Sequence, residues 1–417
     1  MLATLVATAA PQPARAATVV VNTVADAASG GCETTGTGPD CTLREAIIFA
    51  NDHPGTVITI LAGTYKLTKG GPNENEALTG DLDIQENVTI NGAGPQATII
   101  IEDSPGTKDR IFDVFAATGA TRNVSINGVQ LTQGSARDGF GGGALWIGTH
   151  MNVTLTNTLV SQNSTIDGRG GQIVLEGPGS HLSVVGSHID SGLAISQSET
   201  AARGGGIYVH NGTLDVIASV ISTNSALGQG IKANVGGSDA QGGGLFIDTG
   251  TASVTRSLIE RNAAQASAGE DGGAGLEVDG GDATGGGMFA LEGSTLNIVN
   301  STLTGNRALG GAGVGASGDG GAATAGAANV LGKLSVIHAT IADNHAVGGT
   351  ASTGGSRGSA HVGGLAVGAG ASSMANSIVA RNTVDPVGAL GRDLQNPTTA
   401  FGHNNLCLLY TSDAADE

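Results

Sequence analysis

Basic residues are scarce in this 417-residue chain: 18 Lys and Arg stand against 36 Asp and Glu, a formal net charge of −18. Without a cationic patch to neutralise phosphates, nucleic acid and anionic lipid surfaces are excluded as partners, whereas cations or neutral polymers fit. Aromatic residues are only 3% and charged residues 13% of the chain. Stacking platforms are therefore few, and affinity at any one site is expected to be weak. No uninterrupted apolar run reaches the ~18 residues of a membrane-spanning helix. A GxSxG elbow, a phosphate loop and an HExxH motif are all missing, and the glycine clusters have no helix behind them, so phosphate binding is not supported.

What is abundant is glycine, 71 residues, alongside 39% apolar residues. That is too much glycine for an ordinary globular domain and too much apolar content for a disordered one, so a regular, repeated element must bury the apolar side chains. Eight segments fit one template with minor lapses, x-φ-x-φ-x-x-S/T-x-φ-x-x-N: NVSINGVQLTQG, NVTLTNTLVSQN, HLSVVGSHIDSG, TLDVIASVISTN, TASVTRSLIERN, TLNIVNSTLTGN, KLSVIHATIADN and ASSMANSIVARN, the last ending at Asn382. Apolar residues at positions 2 and 4 predict a short half-buried strand, and position 9 lies in a second strand beyond a polar corner. Glycine-led strands such as GGGALWI, GGGIYVH and GGGLFID precede the later motifs. Two or three short strands per repeat with sharp glycine corners predict an all-β fold, a right-handed parallel β-helix in which stacking supplies the core. Position 12 is Asn at Asn163, Asn224, Asn262, Asn306, Asn344 and Asn382. Stacked coils would make these an amide ladder, one rung every ~4.8 Å. Insertions before Gly242 and Gly285 are expected to project as loops, where recognition usually lives.

Residues 1–16 end in Ala14-Arg15-Ala16 and read as a signal peptide. Residues 407–417, CLLYTSDAADE, read as the translation of a sequencing adapter; subtracting Asp413, Asp416 and Glu417 leaves a charge of −15. Two cysteines then remain, Cys32 and Cys41, nine apart, and a disulfide is expected in an exported chain. Between these ends, residues 17–80 are assigned to a cap and 81–406 to β-helix coils. The cap contains the one compact helical signature, CTLREAIIFAN, with a capping box at Thr42 and Glu45 and an apolar stripe of Leu43, Ala46, Ile47 and Ala50. An exposed first coil invites end-to-end association, so this helix is expected to plug it.

VVVNTVAD at Val19, the two cysteines, CTLREAI, LAGTYKL, GDLDI and VTINGAGPQATII together resemble the CSLREA-domain family of secreted bacterial right-handed parallel β-helix proteins. The glycine-led repeats resemble those of polymorphic outer membrane proteins and adhesin-like β-helices, and NSIVARNTVDPVGALGRDLQNPTTAFGHNNL is similar to the closing segment of choice-of-anchor proteins. The resemblance implies a β-helix, export and a cell-surface or extracellular location. It implies little about reaction chemistry.

Chemistry is sought among residues at equal template positions, since these stack. Positions 3, 6 and 10 hold no two acids in adjacent repeats. The best paired carboxylates in the N-terminal half are Asp81 and Asp83 in GDLDI, which share one strand face by period two. The densest acidic segment, EDGGAGLEVDGGD, offers Glu270, Asp271, Glu277, Asp279 and Asp282 as calcium ligands, although its spacing matches neither an EF-hand nor the nonapeptide calcium repeat. No other cofactor is expected. The favoured reading is a secreted or surface-displayed, monomeric, adhesin-like or glycan-binding rod, with polysaccharide or a neighbouring cell surface as its partner. A carbohydrate-active enzyme, polysaccharide lyase or glycosidase, is the first alternative, and a structural spacer for an absent C-terminal anchor is the second.

Overall fold

The computed structural model describes residues 16–28, 31–32, 40–71, 74–106, 108–116, 119–197, 200–230, 235–271, 276–386, 393–395 and 405–407. The signal-peptide segment, apart from Ala16, and residues 408–417 of the adapter-like tail lie outside them.

The alternating apolar positions form the inner faces of strands, and among the described residues these strands pair in parallel, with antiparallel contacts only at the isolated bridges Val235–Glu270 and Val278–Val314. One ladder starts at Thr18–Val21 and passes through Thr56–Ile60, Val88–Asn91 and Arg122–Asn127 towards Ser372–Ala375. A second runs from Gly63–Leu67 to Leu406–Cys407. A third runs from Leu82–Ile84 through Phe112–Val114, Leu145–Ile147 and Ile173–Glu176 to Leu394–Gln395. A shorter ladder joins Ser135–Ala136 to Thr383–Asp385. The chain is a right-handed parallel β-helix with an N-terminal helical cap. Its inner rows, for example Leu182, Val184, Ile189, Ile207 and Val209, are fully buried. Burial of each is worth about 1.5–3 kcal/mol, realised only when the next coil covers it.

The sheets begin earlier than the residue-81 boundary expected above. Thr18–Val21, Thr56–Ile60 and Gly63–Leu67 are already rungs of the solenoid, and the helix Leu43–Asp52, here α1, is inserted between the first two. These strands carry the period-two alternation but neither the triple-glycine lead nor the repeat template.

Each repeat turns two corners in the left-handed region. Position 6 does so at Asn157, Ala218, Arg256, Asn300 and His338, with φ between 46° and 54°. The hydroxyls of Ser187, Ser219, Ser257 and Ser301 then accept the amide of the equivalent residue one coil back, at 3.0–3.1 Å. At the second corner the side chains of Asn224, Asn262, Asn306, Asn344 and Asn382 form a buried run, each Nδ2 donating to the next Oδ1 at 2.9–3.0 Å. The run closes on the acceptor-only carboxylate of Asp393. Asn163 stands apart from the other five, because Gly192 interrupts the series. There Gln172, from the glycine-led strand, inserts its amide, accepting from Asn163 and donating to the Asp190 carbonyl.

Candidate active site

The helix α1 builds the site from below. Thr42 caps it, its hydroxyl accepting from the Glu45 amide while the Glu45 carboxylate accepts from the Thr42 amide at 2.9 Å. The Cys32–Cys41 disulfide fixes the chain just before it. Arg44, fully buried, pairs with Asp26 at 2.6 Å and donates to the carbonyls of Ala77, Gly80 and Asp81. That clamp holds the segment leading into the strand Leu82–Ile84, and the Ala77 amide donates to Asp83 Oδ2 at 2.7 Å. Asn51, near the other end of α1, donates to the Asp83 carbonyl at 2.8 Å and accepts from the Gln85 amide at 2.9 Å. It satisfies the open edge of this first strand as another strand would.

In the third ladder the residues between inward-facing neighbours form an outward row: Asp83, Asp113, Trp146, Val174, Tyr208, Phe246 and Phe289 in successive coils. Carboxylates occupy its first two places and mostly aromatic rings the rest. Tyr208 and Phe246 are buried beneath the guanidinium groups of Arg169 and Arg203, 5.2 and 5.3 Å above their ring centres. The acid end opens instead into a cleft of about 530 Å³, lined by Asp81, Asp109, Arg110, Asp113, Asp138 and Trp146 among others.

Arg110 is the hub. Its Nη1 donates to Asp113 at 2.9 Å, its Nη2 pairs with Asp138, and its Nε lies 3.8 Å from Asp81. One oxygen from each of Asp81, Asp83 and Asp113 lies within 4.8 Å of the others. Asp83 Oδ1 and Asp113 Oδ1 are buried without a hydrogen-bond partner among the described residues. Burial in this crowd of carboxylates has a direct consequence for protonation. Desolvation, reinforced by Asp113, Glu74 and Asp109, lifts Asp83 to about 7 against the pull of the Ala77 amide. Asp113 is lifted to about 6, desolvation and the neighbouring carboxylates outweighing Arg110. Asp81 is also raised, by desolvation and then by Asp109, Asp113 and Asp83. The cluster can therefore keep a proton near neutrality, or take a hard cation into its converging oxygens. Asp113 lines the cleft, whereas Asp83 is fully buried behind it.

Asp81 and Asp83 thus meet, but as part of a larger set. Asp113 lies ahead of the repeat template, which begins only at Asn123. Its signal was the repeated φ-Asp-φ triplet, Leu82-Asp83-Ile84 and Phe112-Asp113-Val114, which stacks in register. Arg110 and Asp138 sit in irregular segments with no periodic signal.

The second group expected from sequence does not assemble. Glu270, Asp271, Glu277, Asp279 and Asp282 form no common cluster; among the described residues the one group of three or more potential ligands is Asp81, Asp83 and Asp113. Loop layering explains this. Asp279 Oδ1 accepts from the Asp319 amide at 2.8 Å and Asp282 Oδ1 from the Ala322 amide at 2.6 Å, so these acids tie one loop layer to the next. The Glu270 backbone bridges to Val235.

No protein-family model matches the chain, and no curated protein matches it. Among solved structures it is similar to the pectate lyase Pel9A, at 13% identity and a TM-score of 0.45 over 94% of this chain and 81% of that one. It is also similar to the A-module of the Azotobacter vinelandii mannuronan C-5 epimerase AlgE4, at 13% identity and a TM-score of 0.29 over 86% and 94% of the two chains. The catalytic domain of a GH87 alpha-1,3-glucanase gives 11% identity and a TM-score of 0.29 over 95% and 70%.

Proposed function

We propose that this protein is an exported carbohydrate-active enzyme that hydrolyses a glycan in the Asp113–Arg110 cleft. The observation that carries the reading is Asp113 itself: a carboxyl lifted to about 6, lining an open cleft and hydrogen-bonded to a buried arginine. A carboxyl with that value suits proton donation to a glycosidic oxygen near neutral pH. Asp138, on the other nitrogen of the same guanidinium, is the second carboxylate at the cleft, and in this reading it takes the proton from the attacking water. Water adds across the bond, its hydroxyl to the anomeric carbon and a proton from Asp113 to the departing oxygen. Burial raises Asp113, Asp138 and Asp109 add to it, and Asp81 and Asp83 lie beside it.

The Cys32–Cys41 disulfide supports an oxidising compartment. No helix among the described residues is long and apolar enough to cross a membrane. The test incubates the purified chain with a panel of neutral and acidic polysaccharides, with calcium and with chelator, and measures new reducing ends and unsaturated sugar. Asp113→Asn is expected to lower release at least a hundredfold. Unsaturated products that need calcium would replace hydrolysis by elimination at a cation-loaded cluster. Retention on a polymer with no release would return the chain to the adhesin-like, glycan-binding class favoured by its repeats.

A further inference from the structure

We propose that the rim of the acid cleft is a binding subsite for a single pyranose ring of a glycan, with the Trp146 indole and the Phe140 ring as its stacking edge; this rests on the reading of the cleft as a glycan site.

Four observations converge on it. Trp146 follows Asp113 directly in the outward row, one coil or ~4.8 Å along the rod. A sugar unit is about that long, so a ring over Trp146 is the immediate neighbour of the unit whose bond faces Asp113. Secondly, Phe140 is 58% exposed and lines the same cleft, its ring edge-on to the indole with centres 6.5 Å apart. A large apolar ring left in solvent beside carboxylates and a guanidinium is the mixed surface that sugars require, apolar for the C–H face and polar for the hydroxyls.

Thirdly, the indole is held in place by the protein. Its Nε1 donates to Glu176 at 3.2 Å, it packs on the Val174–Tyr208–Phe246–Phe289 stack, and it lies so close to Gly148 that a Cβ there would come within 2.8 Å of the ring. The N–H is thus satisfied by the protein, and the half-buried indole lines the cleft. Fourthly, one residue joins platform and catalytic centre. Asp138 Oδ1 accepts from the amides of Phe140 and Gly141, at 2.9 and 3.3 Å, while its other oxygen pairs with Arg110. The loop that presents Phe140 is therefore organised by the same carboxylate that faces the scissile bond. Further along the row the rings are covered by Arg169 and Arg203, which confines the platform to this end.

Trp146 is the single tryptophan of the chain, so intrinsic fluorescence reports on the subsite without reference to turnover. Wild type and Asp113→Asn are titrated with soluble hexasaccharides of neutral and uronate glycans. A saturable shift of the emission is expected in both for one class. Phe140→Ala should raise the half-saturating concentration, and KM where turnover is seen, about tenfold. Gly148→Ala, which displaces the indole, should remove the response while the far-ultraviolet spectrum stays that of a β-helix. Product release with no emission change, and with an unaltered KM in Phe140→Ala, would overturn the subsite and leave the hydrolase reading intact. A saturable response without release from any polymer would support the subsite and overturn the hydrolase. Silence in both readouts would overturn both.

Discussion

Asp83 is a carboxyl in a place that favours its neutral form, and this ties stability to pH. Its folded value of about 7 and the value of about 6 at Asp113 both lie above the ordinary carboxylate range, so the native state holds protons that the unfolded chain releases. Stability from this source is complete below about pH 4 and is lost as pH rises through the folded values, up to about 7. The first coils are accordingly expected to melt at lower temperature at pH 8 than at pH 5. Asp83→Asn should remove much of that slope: its carbonyl can still accept from Ala77, and its new N–H groups can donate to the surrounding carboxylates. Melting curves at the two pH values check this, and an unchanged slope in Asp83→Asn would place the titrating group elsewhere. The same sign governs activity. Proton donation by Asp113 should fail as pH rises past about 6, giving an alkaline limb in the rate profile that Asp83→Asn shifts, because Asp83 and Asp113 sense each other's charge.

At the level of elements, α1 does more than cover the first coil. Through Arg44 and Asn51 it fixes the strand that carries Asp83, and Asn51 supplies the donor and acceptor that a preceding strand would have supplied. Asn51→Ala would leave the Asp83 carbonyl and the Gln85 amide without these partners, at about 1–3 kcal/mol. The expected result is amide exchange at Gln85 at least tenfold faster while the inner coils, around Val216 and Ile221, keep their protection. Equal rates in variant and wild type would show that the edge is held by something other than Asn51. The same elements show what was legible in the sequence. The capping box, the cysteine pair and the alternation of positions 2 and 4 are local signals, readable because strand and helix periods act over a few residues. The asparagine series was readable because stacking turns a repeat into a spatial column. Gln172 was not, since it reaches the column from a different strand. Asp81 and Asp83 were readable as a pair by period two, but their meeting with Asp113, Arg110 and Asp138 depends on coil-to-coil register before the template begins and on irregular loops, which no periodicity encodes.

Across the whole molecule, the rod separates its tasks along its length. The acid cleft occupies the first coils, whereas the long insertions of the later coils pack into a lobe made largely of backbone. There Gly281, Gly311, Gly321, Gly349 and Gly358 each donate an amide to the carbonyl before it in the series, from Ser267 through to Gly349, at 2.9–3.0 Å. A Cβ on Gly311 would sit 1.7 Å from the Ser267 carbonyl oxygen and one on Gly349 1.8 Å from that of Gly311. Those contacts leave no room for any side chain, which explains why the loops are spent on glycine despite its entropic cost. Because coils in a solenoid couple mainly to their neighbours, damage should stay local. Gly311→Ala is expected to open the lobe, raising amide exchange at Gly281, Gly321 and Gly349 and introducing an early transition in denaturant. The emission spectrum of Trp146, several coils away, should be unchanged in that variant. A change in Trp146 emission at denaturant concentrations that open only the lobe would instead mean that lobe and cleft form one cooperative unit, and substrate bound at one end would then stabilise the loops at the other.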